Sequence, residues 1–65
     1  MARWPRTLVI EFTDGQVRRV EQVTQYSVRN GVLHLEDDSR SHFGVIEERG
    51  AFPIGNIRSF DWEER

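Results

Sequence analysis

The residues best suited to chemistry are His34, Glu36 and His42, with Asp37 and Asp38 beside them. If His34 and Glu36 share one strand and His42 sits on the next, opposite Glu36, all three lie on one sheet face. His34 then stands diagonal to His42 at about 7–8 Å. Two imidazoles and a carboxylate are a three-ligand set for Zn²⁺ or Ni²⁺ with one position open. The same residues also make an ordinary solvated cross-strand pair, worth about 0.2–1 kcal/mol. A one-residue slip in either register would send a ligand to the opposite face. No metal is therefore expected, and the trio stands as the candidate ligand set.

Catalysis has thinner support. Ser27 opposite His34, with Glu36 nearby, imitates a nucleophile and its base. An open sheet face, however, neither excludes water nor supplies an oxyanion hole. The chain has no Cys, no Lys, no G-x-S-x-G and no phosphate-binding glycine loop. The expectation is a protein that is not an enzyme and takes no cofactor.

Binding residues are easier to nominate. All nine basic residues are Arg, whose planar fork suits phosphate and carboxylate, although codon bias in a GC-rich genome gives the same composition. Arg18, Arg19, Arg29 and Arg40 could form a patch, and Arg3-Trp4-Pro5-Arg6 joins guanidinium to a stackable ring, as single-strand nucleic-acid binders do. The charge opposes this: the chain is formally −2, and residues 7–60 carry six Arg against eight acids. The ends are complementary, +2 over residues 1–6 and −2 over 61–65, with one Trp each. Trp4 is expected to pack near Trp62 while these charges pair. The alternative is that arm and tail meet on different protomers, or that the Trp residues anchor an interface. The partner-binding set is accordingly Trp4, Arg18, Arg19, Arg29, His34 and Trp62.

These residues need a scaffold, and 65 residues allow one small domain, burying only about 60% of its unfolded surface. Without Cys there is no disulfide framework. Stability rests on the 37% apolar residues, seven aromatics included, so self-association is a reasonable way to bury more. No apolar run approaches the ~18 residues of a membrane span, and no signal-peptide pattern follows the N-terminus. The chain reads as soluble and cytoplasmic.

The strongest local signal is Tyr26 to Glu36, where Asn30-Gly31 is flanked by alternating apolar residues. A two-residue turn there pairs Val28 with Leu33 and Tyr26 with Leu35 on the core side. Arg29/Val32, Ser27/His34 and Gln25/Glu36 then pair on the outer side. Before it, Thr7–Phe12 alternates as a strand after a short arm, 1–6, and Asp14-Gly15 offers a second primed-turn signal. Val17 and Val20 break the period of two, so a bulge at Arg18-Arg19 is expected, with Phe12 facing Val17 and Ile10 facing Val20. Beyond the hairpin, a five-residue polar loop leads to a strand at His42–Glu48, with Phe43 facing Leu35 and Val45 facing Leu33. Arg49-Gly50 reads as a turn, Ala51–Ile54 as a short edge strand, Gly55-Asn56 as a single 3₁₀ turn, and Ile57–Trp62 as the last strand before a charged end, 63–65. The expected core is Leu8, Ile10, Phe12 and Val20; Tyr26, Val28, Leu33 and Leu35; Phe43 and Val45; and Ile54, Ile57 and Phe60, with Val23 also inward.

No window of ten or more residues keeps a 3.6-residue period, so no long helix is predicted. Five or six short antiparallel strands imply an all-β domain, a small barrel or a twisted meander. In strand order and size it resembles the SH3-like and Sm-like barrels, folds that host peptide binding, RNA binding and scaffolding alike. The functional expectation is a small interaction module that binds a protein or itself, as a homodimer, in a bacterial or phage accessory role. The alternative is a single-strand nucleic-acid-binding barrel.

Overall fold

A computed structural model describes residues 4–39 and 46–64. It contains β1 (Arg6–Phe12), β2 (Val17–Val23), β3 (Gln25–Arg29), β4 (Val32–Asp37), β5 (Glu47–Pro53), a single 3₁₀ turn (Ile54–Asn56) and β6 (Ile57–Trp62). The strands form two antiparallel three-stranded sheets, β2-β1-β6 and β3-β4-β5. Among the described residues no ladder joins the two sheets, so the all-β fold is a pair of twisted sheets and not a closed barrel.

The β3–β4 hairpin has the expected register throughout, from Gln25–Glu36 to Arg29–Val32. Asn30 and Gly31 sit at φ 52° and 73°, the left-handed pair that a two-residue turn requires. This register points Leu33 and Leu35 at the other sheet, where they pack fully buried with Leu8 and Ile10 of β1 and Val23 at the end of β2. Partly buried Phe12, Val20, Phe52, Ile57, Phe60 and Trp62 surround those five aliphatics.

The first turn differs from expectation. The Gly15 N–H donates to the Phe12 carbonyl at 3.0 Å, and the Phe12 N–H donates to the Gln16 carbonyl at 2.8 Å. Gly15, at φ 89°, is left-handed while Asp14 is not, so the loop has three residues, and the Asp14 carboxylate caps it by accepting the Gln16 N–H at 3.0 Å. The extra loop residue moves the register by one. Val17 faces Glu11 and is exposed; Val20 faces Leu8, not Ile10. The bulge falls later than Arg18-Arg19, between the pairs Leu8–Val20 and Arg6–Val23, where Gln22 takes φ 62°. That inserted residue lets Val20 and Val23, three apart, both turn inward. A bulge in β6 does the same for Ile57 and Phe60, leaving Arg58 as the extra residue between the pairs Phe12–Ile57 and Glu11–Ser59.

The second departure is β5. Arg49-Gly50 is not a turn but the middle of a strand, so Leu35 faces Gly50 and Leu33 faces Phe52. The places expected for Phe43 and Val45 are taken by Gly50 and Phe52; Phe43, Val45 and His42 themselves lie outside the described residues. Gly50 is there for space: a Cβ at that position would stand 2.9 Å from Cε2 of Phe52. The Phe52 ring folds over the glycine, also meeting Phe12 with centroids 5.8 Å apart.

Tyr26, Val28 and Ile54 are the core assignments that the structure overturns, being 46%, 52% and 36% exposed. Ile54 falls in the 3₁₀ turn beyond the end of β5, where strand alternation no longer applies; for Tyr26 and Val28 the alternation was right about their face but blind to their position. Tyr26 and Val28 lie on β3, the outermost strand of its sheet, where only one side has a neighbour. Tyr26 is held by an edge-on contact with Phe60, centroids 5.1 Å apart, and by Trp62 at 5.8 Å. Val28 and Leu33, although directly opposite each other, should therefore respond differently. In dilute protein, Leu33→Ala is expected to cost about 2–5 kcal/mol in urea unfolding, and Val28→Ala clearly less than half of whatever Leu33→Ala costs.

Candidate interaction surface

Of the predicted metal residues, His34 and Glu36 lie on the outer face of the β3-β4-β5 sheet, and His42 is outside the described residues. Glu36 accepts from Gln25 Nε2 at 3.1 Å and from the Arg29 guanidinium at 3.5 Å. His34 Nδ1 lies 3.1 Å from Glu48 Oε1. The bulge in β5 makes Glu48, not His42, the cross-strand neighbour of Glu36. Among the described residues no group of three or more His, Cys, Asp or Glu is arranged to hold a metal ion. Ser27 does face His34, as expected, but the imidazole is engaged with Glu48. What this face offers is a row of polar pairs, each closed within the chain.

The arginines tell a similar story. Arg6 lies over the Trp62 ring, its guanidinium carbon 4.0 Å from the centroid, and Arg18 lies over Phe52 at 5.4 Å. Arg19 grips Glu63 with both Nε and Nη2, at 3.0 and 2.6–2.8 Å. That hydrogen bonding, with the charge attraction to Glu63, raises the Arg19 pKa above its ordinary value. Arg29 pairs with Glu36, Arg49 with Glu47 and Arg58 with Glu11. Every arginine among the described residues thus has a partner in its own chain. Exposed pairs of this kind add little stability, but they occupy forks and rings that a nucleic acid would otherwise use.

The two ends meet, through Arg6 and Trp62 and not through Trp4. Trp4 is 83% exposed, while Trp62 packs against Arg6 and Tyr26. The tail's Glu63 pairs with Arg19 of β2, and its N–H donates to the Thr7 carbonyl at 2.9 Å, prolonging the β1–β6 pairing. An open cleft forms here between Arg6, Arg19, Glu21, Asp61, Trp62 and Glu64.

Two features were missed in the sequence. Asp37 continues the Leu33, Leu35 alternation and so turns inward at the end of β4, nearly fully buried. Its carboxylate accepts the Ser39 N–H at 2.9 Å and the Ser39 hydroxyl at 2.6 Å, which starts the loop after β4. The more consequential feature is the β3 edge. Two sheets leave four outer strands, β2, β6, β3 and β5. β2 carries Arg18, Arg19 and Glu21; β5 carries Glu47, Glu48, Arg49 and Pro53; β6 has a bulge with Arg58, and Asp61. Charges, bulges and proline are what keep a strand edge from recruiting another chain. β3, Gln25-Tyr26-Ser27-Val28-Arg29, has no proline and a single charge at its very end. It is also the strand bearing two exposed apolar side chains on its core-side face.

No protein-family model, no curated protein and no solved structure matches the chain. Function has to be argued from the surface itself. The Arg6–Trp62 stack gives a direct check on the geometry of the ends. Arg6→Ala is expected to change the fluorescence of Trp62 and to lower stability by about 0.5–1 kcal/mol, with Trp4→Phe as the background that isolates the Trp62 signal.

Proposed function

We propose that the protein is a small non-enzymatic interaction module whose binding surface is the outer edge of β3. The observation that carries this reading is the coincidence of an unguarded strand edge with exposed Tyr26 and Val28 on the same strand. A strand added there would gain main-chain hydrogen bonds from the edge and apolar contacts from those two side chains, the usual division of labour in β-strand addition. Hydrophobic side chains left half in water beside such an edge are otherwise a liability. The likeness in strand order to SH3-like and Sm-like barrels is compatible with a binding role and does not select the ligand.

The second reading, single-strand nucleic-acid binding, has a basic–aromatic pairing in its favour at Arg6–Trp62 and Arg18–Phe52. In both, however, the chain's own guanidinium already covers the ring, and the net charge is −2. The protein reading is therefore preferred.

A random peptide library panned against the immobilised protein tests the choice. Extended peptides with alternating apolar residues are expected to enrich, and Val28→Arg is expected to weaken their binding about tenfold or more. Enriched peptides that bind Val28→Arg as well as the parent would move the site elsewhere. Salt-sensitive quenching of Trp fluorescence by single-stranded oligonucleotides, without peptide enrichment, would favour the second reading.

A further inference from the structure

The β3 edge has a geometry that suits one partner in particular, a second copy of itself. In a two-residue hairpin the pair closing the turn, Arg29–Val32, is the hydrogen-bonded kind, and the kinds alternate along the strand. Ser27–His34 and Gln25–Glu36 are then hydrogen-bonded as well, and Glu36 keeps that phase by also taking the Thr24 N–H on its carbonyl at 2.9 Å. The N–H and C=O groups of Tyr26 and Val28 consequently point away from β4, toward the open side. Among the described residues no strand pairs with that side.

We infer that two copies join antiparallel along β3, about a two-fold axis through Ser27, to make a continuous six-stranded sheet. This deepens the interaction-module reading and rests on it. Phase and overlap together select the register: a two-fold axis at Ser27, the middle of the strand, pairs all five residues and sets Tyr26 of each copy opposite Val28 of the other, the residues whose main-chain groups are free to form hydrogen-bonded pairs. The same axis aligns four exposed apolar side chains in one row, Tyr26 and Val28 from each copy. Aromatic opposite β-branched is a favourable cross-strand combination. On the other face, Arg29 of each copy comes opposite Gln25 of the other, beside the Glu36 carboxylate that already accepts from both residue types within one chain. No pair in this register sets like charges opposite each other. An axis one residue to either side keeps this phase but overlaps only three of the five residues of each strand, and an axis midway between residues would set the free groups opposite inward-pointing ones.

Two five-residue edges bury less than a standard interface of about 1,600 Å², so the dimer belongs to the weak, concentration-dependent class. Sedimentation of the full chain across micromolar to millimolar concentrations is expected to show monomer passing to dimer, with Val28→Arg weakening association about tenfold or more. The register is read by cysteine. The chain has no Cys, and a non-hydrogen-bonded antiparallel pair sets its Cα atoms about 4.5 Å apart, within disulfide range. Ser27→Cys should therefore form a covalent dimer readily on oxidation, and Ser59→Cys, on the β6 edge, should not. A strict monomer throughout, or a dimer that Ser59→Cys locks and Ser27→Cys does not, overturns the inference. Should Val28→Arg lose its far-UV circular dichroism, the two cysteine variants decide alone. A monomer that still binds the library peptides at β3 keeps the module reading and removes only the dimer.

Discussion

Everything in this fold depends on where the pairing of strand edges stops. The chain folds by satisfying main-chain hydrogen bonds in two three-stranded sheets, and a two-sheet stack that does not close leaves four strands with one side unpaired among the described residues. Three of those sides are defended by charge, proline or a kink. The fourth is β3, and its exposed side chains follow from the same fact. Tyr26 and Val28 face the core side of their sheet but stand at its margin, where among the described residues no further strand of the sheet lies beside them and Phe60 and Trp62 cover Tyr26 only in part.

The core that makes this arrangement hold is small. Five fully buried aliphatic residues come from β1, β2 and β4; the bulge near Gln22 turns Val23 inward, and two further bulges, in β5 and β6, shape the strands beside them. Asn30-Gly31 fixes the side of β4 that is buried. The bulges near Gln22 and Arg58 each insert a residue so that apolar side chains spaced three apart reach the same face, and the one at Arg49 sets Gly50 opposite Leu35 and Glu48 opposite Glu36. Gly50 belongs to this scheme, because its missing Cβ lets Phe52 lie over it. A core of this size leaves little stability to spare, which makes half-exposed Tyr26 and Val28 a meaningful fraction of the apolar surface.

The polar surface is largely self-satisfied. His34–Glu48, Glu36 with Gln25 and Arg29, and Arg19–Glu63 close within the chain. Charges engaged this way serve solubility and orientation more than recognition, since an incoming ligand must first break a pair. That contrast is why the functional reading rests on a strand edge and two apolar side chains rather than on the arginines.

How much of this was legible without coordinates differs by element. The β3–β4 register, β1, the 3₁₀ turn and β6 follow from local chemistry: a left-handed Asn-Gly pair, alternation with a period of two, and a Gly-Asn break are properties of neighbouring residues. The β1–β2 register, the continuity of β5 and the neighbour of Glu36 do not, because each hinges on a bulge, and a bulge is chosen by which residues the opposite strand and sheet can bury. Arg49-Gly50 carried a turn signal that the space needed by the Phe52 ring overrode. Above all, alternation assigned Tyr26 and Val28 to the inner face, which is correct, but a face becomes a core only when something lies over it. The sequence by itself determined which side of each strand is apolar; only the tertiary structure decided which strands are outermost, because shelter from water depends on partners distant along the chain.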